Sequence, residues 1–105
     1  MDIEKVANDI TKVIVTEEQI HARVKEMARE VDAKYAGKDV LLVGVLKGAV
    51  MFMADLSRAM QIPVQMDWMA VSSYGHGTQS SGVVRILKDL DADVLGRHVI
   101  IVEDI

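Results

Sequence analysis

Cysteine is absent from the chain, which excludes both a disulfide framework and a zinc site built on thiolates. A cysteine-free sequence suits a reducing compartment, and a cytoplasmic location is the expectation. An excess of basic residues is also missing. Twelve Lys and Arg stand against 16 Asp and Glu, giving a formal charge of -4 and a pI near 5.2. No broad positive field exists to draw in nucleic acid or an anionic membrane surface, so neither is expected as a partner and any anion site has to be local. His21, His76 and His98 lie too far apart in sequence to make a metal-ligand spacing, and zinc is not expected. A long hydrophobic run is missing as well. The stretch Val40 to Ala54 is apolar, but it spans fifteen residues, carries Lys47 near its centre and stops at Asp55. A membrane-crossing helix needs about 20 apolar residues, and a buried strand followed by a buried helix fits this stretch better. The start, Met1-Asp2-Ile3-Glu4-Lys5, is charged at once and leads into no apolar targeting segment.

What is present is a 105-residue chain, half of it hydrophobic. A chain of this size buries roughly two-thirds of its unfolded surface, enough for one domain and not two. Residues 1–9 form a polar lead-in, and the β-branched run Ile10 to Val15 predicts a short edge strand. Thr16 with Gln19 makes a capping box ahead of an apolar stripe at Ile20, Val24, Met27, Val31 and Tyr35, so a helix is predicted that ends near Gly37. Val40 to Val45 is apolar without alternation, the pattern of a central parallel strand covered on both faces. Val50, Met53, Leu56 and Met60 then recur at helical spacing until Pro63, the lone proline, interrupts them. Strand, tight turn and helix make half of a βαβ unit. A second strand is predicted from Val64 through Val71, a third at Val83 to Leu87, and a last one at Val99 to Val102.

Three places carry polar chemistry. Lys47-Gly48 lies where the buried strand turns into a helix, where backbone N–H groups and an ammonium favour an anion. The full P-loop pattern is absent, and the alternative is a lysine that snorkels out of a turn. Glu103-Asp104 follows an apolar strand, where carboxylates can accept sugar hydroxyls or hold Mg²⁺; the alternative is a pair of solvated acids. The chain ends one residue after this pair, so a started and incomplete site is expected. The segment from Ser72 to Gly82 has three glycines and four serines and no aliphatic side chain, which reads as a mobile loop. Tyr74 at its root suits a loop that folds over a ligand, whereas His76 reads as exposed filler. The methionines and Trp68 read as core or interface residues.

Taken together and in order, Val43-Gly44-Val45-Leu46-Lys47-Gly48, Ser72-Ser73-Tyr74-Gly75 and Val102-Glu103-Asp104-Ile105 resemble the hypoxanthine(-guanine) phosphoribosyltransferases. The likeness runs from about Ile10 to the end and covers the amino-terminal portion of that family, rather more than half of it. It implies an α/β fold with a mostly parallel sheet flanked by helices, an incomplete single domain over residues 1–105 that stops before the family's last strands and helices. It implies transfer of a 5-phosphoribosyl group from phosphoribosyl pyrophosphate to hypoxanthine or guanine with Mg²⁺, yielding IMP or GMP and pyrophosphate. By the same resemblance Leu46-Lys47-Gly48 is the pyrophosphate loop, whose Leu-Lys peptide the family often holds cis. Ser73 and Tyr74 map to the closing loop, and Glu103-Asp104 to the pair that grips the ribose hydroxyls and organises Mg²⁺.

The family's further acidic residue near the purine, its 5′-phosphate loop and its base-binding residues have no counterpart here. Little or no transferase activity is therefore expected of these residues alone. A homo-oligomer, dimer or tetramer, is expected from the Met-rich second helix and strand. Two competing readings are an RNA-binding regulator on the same fold, which the acidic pI disfavours, and a non-catalytic interaction module.

Overall fold

The computed structural model describes residues 2–74 and 83–105. A 3-10 helix at Ile3–Asp9 precedes helix α1 (Glu17–Tyr35), strand β1 (Val40–Leu46), helix α2 (Val50–Ala59) and strands β2 (Val64–Tyr74), β3 (Val83–Lys88) and β4 (His98–Val102). The strands form one sheet in the order β3-β2-β1-β4. β1 pairs in parallel with β2 and β4, and β3 returns antiparallel on β2. Among the described residues β1 and β2 are therefore the inner strands, and β1 is paired in parallel on both sides.

Its sequence dictates that place. Val40, Leu41, Leu42 and Val43 are each at most 1% exposed, so consecutive side chains pointing to opposite faces are all covered, as an unalternating apolar run requires. On one face Val40 and Leu42 join Val102 of β4, Met53, Leu56 and Met60 from α2 and its end, and Ala28 of α1 in a single core. Met27, Val31 and Tyr35 pack against that core from α1.

Helix α1 begins as its capping box predicts: Thr16 Oγ1 accepts the Gln19 N–H at 3.1 Å and Gln19 Oε1 accepts the Thr16 N–H at 2.8 Å. Gly37, at φ +74°, supplies the left-handed residue just past its end. The predicted stripe holds from Val24 onward: Val24 is buried and Met27, Val31 and Tyr35 pack on the core, joined by Ala28. Ile20, in the first turn, is 49% exposed, because α1 meets the core along its middle and later turns. Asp32 ties the helices together by accepting the N–H groups of Gln61 and Ile62 at 2.8 and 3.3 Å, which fixes the turn into β2.

Two sequence expectations are corrected. Residues 10–15 form no strand, and Ile14 is 84% exposed; β-branched residues favour a sheet only where a neighbouring strand gives them a surface to pack on, and here none is supplied. The loop predicted to begin at Ser72 does not begin there. β2 continues through Ser72, Ser73 and Tyr74, which pair with Arg85, Val84 and Val83, because backbone pairing with β3 does not depend on apolar side chains. His76 and the rest of the predicted loop lie outside the described residues.

Gly44 and Trp68 are partners in the β1 and β2 register. A β-carbon built on Gly44 would lie 2.5 Å from the Trp68 ring, so the indole lies against backbone that carries no side chain. Gly44→Ala is expected to destabilise the fold by about 1 to 3 kcal/mol, the usual cost of overpacking a filled site. A lowered urea midpoint checks this, and an unchanged one would mean that the ring has room to move.

Candidate functional site

Parallel pairing puts the carboxyl ends of β1, β2 and β4 at one edge of the sheet, the edge where open α/β sheets carry their ligand crevices. The register ends with Gly44 beside Val102, so two residues further along each chain are Leu46 and Asp104. Strand alternation then gives Asp104 the side of the buried Val102, which is the side of α2. The contact is direct: a β-carbon on Gly48 would lie 2.6 Å from Asp104 Cγ and closer still to Oδ2. The carboxylate therefore rests against the backbone of the turn that leads into α2. The lysine turn and the acidic pair, distant in the sequence, are brought together at one rim.

Lys47, Gly48, Glu103 and Asp104 are all exposed, while Ala49 behind the turn is buried. Among the described residues, Lys47, Glu103 and Asp104 enter no side-chain hydrogen bond or salt bridge. Lys47 is exposed, so its ammonium lies in water at the turn and is available to an outside anion. The Leu46–Lys47 peptide is cis. Helix α2 has Ala49 at its N-cap with no side-chain cap, and its first turn holds no acidic residue. Its positive end is thus left for an outside anion, as the adjacent ammonium is.

Ser73 and Tyr74 fall at the end of β2, on the same edge. Leu46 pairs with Ala70, and Tyr74 is four residues further along. At a strand rise of about 3.3 Å per residue it stands roughly 13 Å beyond the end of β1. The backbone thus brings the lysine turn and the acidic pair together, and sends Ser73 and Tyr74 past them on the same edge. As for Mg²⁺, the two carboxylates on offer are hard oxygen donors. A magnesium ion takes one or two such groups and completes its shell with water and phosphate oxygens, so the donor set fits.

Sequence reasoning missed Asp67. It stands between apolar Met66 and Trp68 in β2, where alternation predicts an exposed polar residue, yet it is only 5% exposed. Its Oδ2 accepts the N–H groups of Ala92 at 2.8 Å and Asp91 at 2.9 Å, and its Oδ1 accepts the Trp68 N–H at 2.8 Å. The Ala92 N–H, then that of Trp68, hold its carboxyl below the ordinary range; burial opposes them, and the Asp91 N–H and the Lys88 ammonium add to the lowering. No local sequence pattern signals this, because two of the three donors lie 24 and 25 residues away.

A carboxyl whose folded pKa lies below its unfolded one contributes stability that is fully present above the unfolded value, about 4, and is lost as pH falls through the folded value. The urea midpoint is therefore expected to drop below about pH 4, and to drop less in Asp67→Asn. An equal drop in both proteins would assign the acid sensitivity to other carboxylates.

The sequence matches the phosphoribosyl transferase domain family over residues 12–105. It is 56% identical to a hypoxanthine-guanine phosphoribosyltransferase of Mycobacterium avium, over 92% of this chain and 51% of that protein. It is 54% identical to the protein of the same name from Streptococcus agalactiae, over 93% of this chain and 54% of that one. The crystal structure of a hypoxanthine phosphoribosyltransferase from Staphylococcus aureus superposes with a TM-score of 0.87 at 40% identity, covering 92% of this chain and 53% of that chain. The chain spans about half the length of these two curated relatives.

Proposed function

The chain belongs to the phosphoribosyl transferase family, and we propose that it carries the phosphoribosyl pyrophosphate-binding part of a purine salvage transferase that converts hypoxanthine or guanine to its nucleotide. The observation that supports this most is the carboxylate of Asp104 resting against the Gly48 backbone, beside Lys47. One small diphosphate sugar can reach both groups from that position.

The roles follow from the charge that develops. As pyrophosphate leaves C1′ the sugar gains oxocarbenium character, so the leaving group needs neutralising, the ribose needs holding and water needs excluding. Lys47 and the N–H groups at the start of α2 take the pyrophosphate oxygens. Glu103 and Asp104 accept the ribose hydroxyls. Mg²⁺ held by the same pair would add positive charge beside the leaving group. Ser73 and Tyr74, the last residues of β2, are the root from which the closing loop of the family would cover the substrate. The purine base and the nucleotide product are the remaining ligands, the location is cytoplasmic, and the assembly is a homo-oligomer.

Calorimetric titration with phosphoribosyl pyrophosphate tests the reading. Binding is expected in the presence of Mg²⁺ and to weaken when EDTA is added. Absence of heat with and without the metal would contradict it.

A further inference from the structure

We infer that Asp67 is a positioning residue for Asp104, acting through the crossover of residues 89–97; this rests on the reading of the acidic pair given above. The sheet order β3-β2-β1-β4 obliges the chain leaving β3 to pass β2 and β1 before it can form β4. The nine residues that make this journey contain no helix or strand to hold them. Carboxylates from the neighbouring strands do it instead.

Near the start of the crossover, Asp67 takes the N–H groups of Asp91 and Ala92. Lys88 Nζ reinforces the same corner by donating to the carbonyls of Trp68 at 2.9 Å and Asp89 at 3.0 Å, and lies 3.8 Å from Asp67 Oδ1. At its end, Arg97 grips both oxygens of Asp39 at 3.1 and 3.2 Å, and the His98 N–H donates to the Asp39 carbonyl at 2.9 Å. Asp39 directly precedes β1, so this end sets the pairing of Val40 with His98. The two anchors divide the crossover between them. Arg97 is only 13% exposed and holds Asp39 by a two-point contact that fixes the end, whereas Asp67 is buried and fixes the start with hydrogen bonds shielded from water.

From His98 the register runs up β4 to Val102, and from there to Asp104 against Gly48. Among the described residues β4 pairs with β1 alone, and its other restraints are Val102 in the core and the crossover that leads into it. A slip of one residue would turn Asp104 to the other face of the sheet.

The test uses the whole chain and pyrophosphate as the probe. Asp67→Asn keeps the shape but replaces an acceptor oxygen with a donor. Amide exchange at Asp91 and Ala92 is expected to quicken. The gain in pyrophosphate affinity on adding Mg²⁺ is expected to shrink about ten-fold, the usual cost of losing a group that orients a ligating side chain. Affinity without the metal, carried by the Lys47 turn, is expected to stay the same; a purely structural role would lower both together. If Asp67→Asn does not fold, Lys88→Met decides, with the same selective loss expected at about three-fold. Equal losses with and without Mg²⁺, or no loss in a folded variant, would overturn the inference alone. A wild-type chain that gains nothing from Mg²⁺ would overturn the reading of the acidic pair, and the inference with it.

Discussion

Lys47→Ala is expected to weaken pyrophosphate binding about ten-fold, with the fold unchanged. Lys47 is exposed, so the variant creates no cavity and should leave the stability within about 0.5 kcal/mol of the original. A hydrogen bond to a charged group contributes about 1.5 to 3 kcal/mol, and exposure to water and salt favours the lower end of that range. About 1.4 kcal/mol corresponds to ten-fold in affinity. Titration at two salt concentrations checks the physical cause as well as the size. The loss should narrow as salt rises, because a screened ammonium has less to give up. Unchanged affinity at low salt would remove Lys47 from the site.

Gly48→Ala is expected to have the larger effect, about a hundred-fold loss of the Mg²⁺-dependent part of that binding, because misplacing a group by about 1 Å costs that much. The new β-carbon would occupy the position of the Asp104 carboxyl. Asp104 is exposed and can swing away, so the fold survives while the shared site does not. A double-mutant cycle separates this from a general disturbance of the turn. In an Asp104→Ala background, Gly48→Ala should have little further effect on the Mg²⁺-dependent binding. Additive losses would mean that the two residues act independently.

The legible parts of the fold were those whose cause is local. The capping box at Thr16, the left-handed Gly37 and the unbroken apolar run of β1 each follow from neighbouring residues, and each is found where the sequence predicts it. The exposed run from Ile10 to Val15 fails the same reasoning because a strand depends on its neighbour as well as on its own residues. The site divides in the same way. The positions of Lys47, Gly48, Glu103 and Asp104 were legible because each pair follows an apolar strand. Asp67 was not, since two of its hydrogen-bond donors are distant in sequence and only the crossover brings them to it. The contact between Gly48 and Asp104 was legible only as a consequence of parallel pairing.

Manganese in place of magnesium gives the most direct test of whether the lysine turn and the acidic pair share one ligand. At a low fixed level of Mn²⁺, the broadening of the Gly48 and Asp104 amide resonances is expected to grow when pyrophosphate is added, and Lys47→Ala is expected to abolish that growth. Broadening that is the same with and without pyrophosphate, or growth that Lys47→Ala leaves intact, would contradict a shared site.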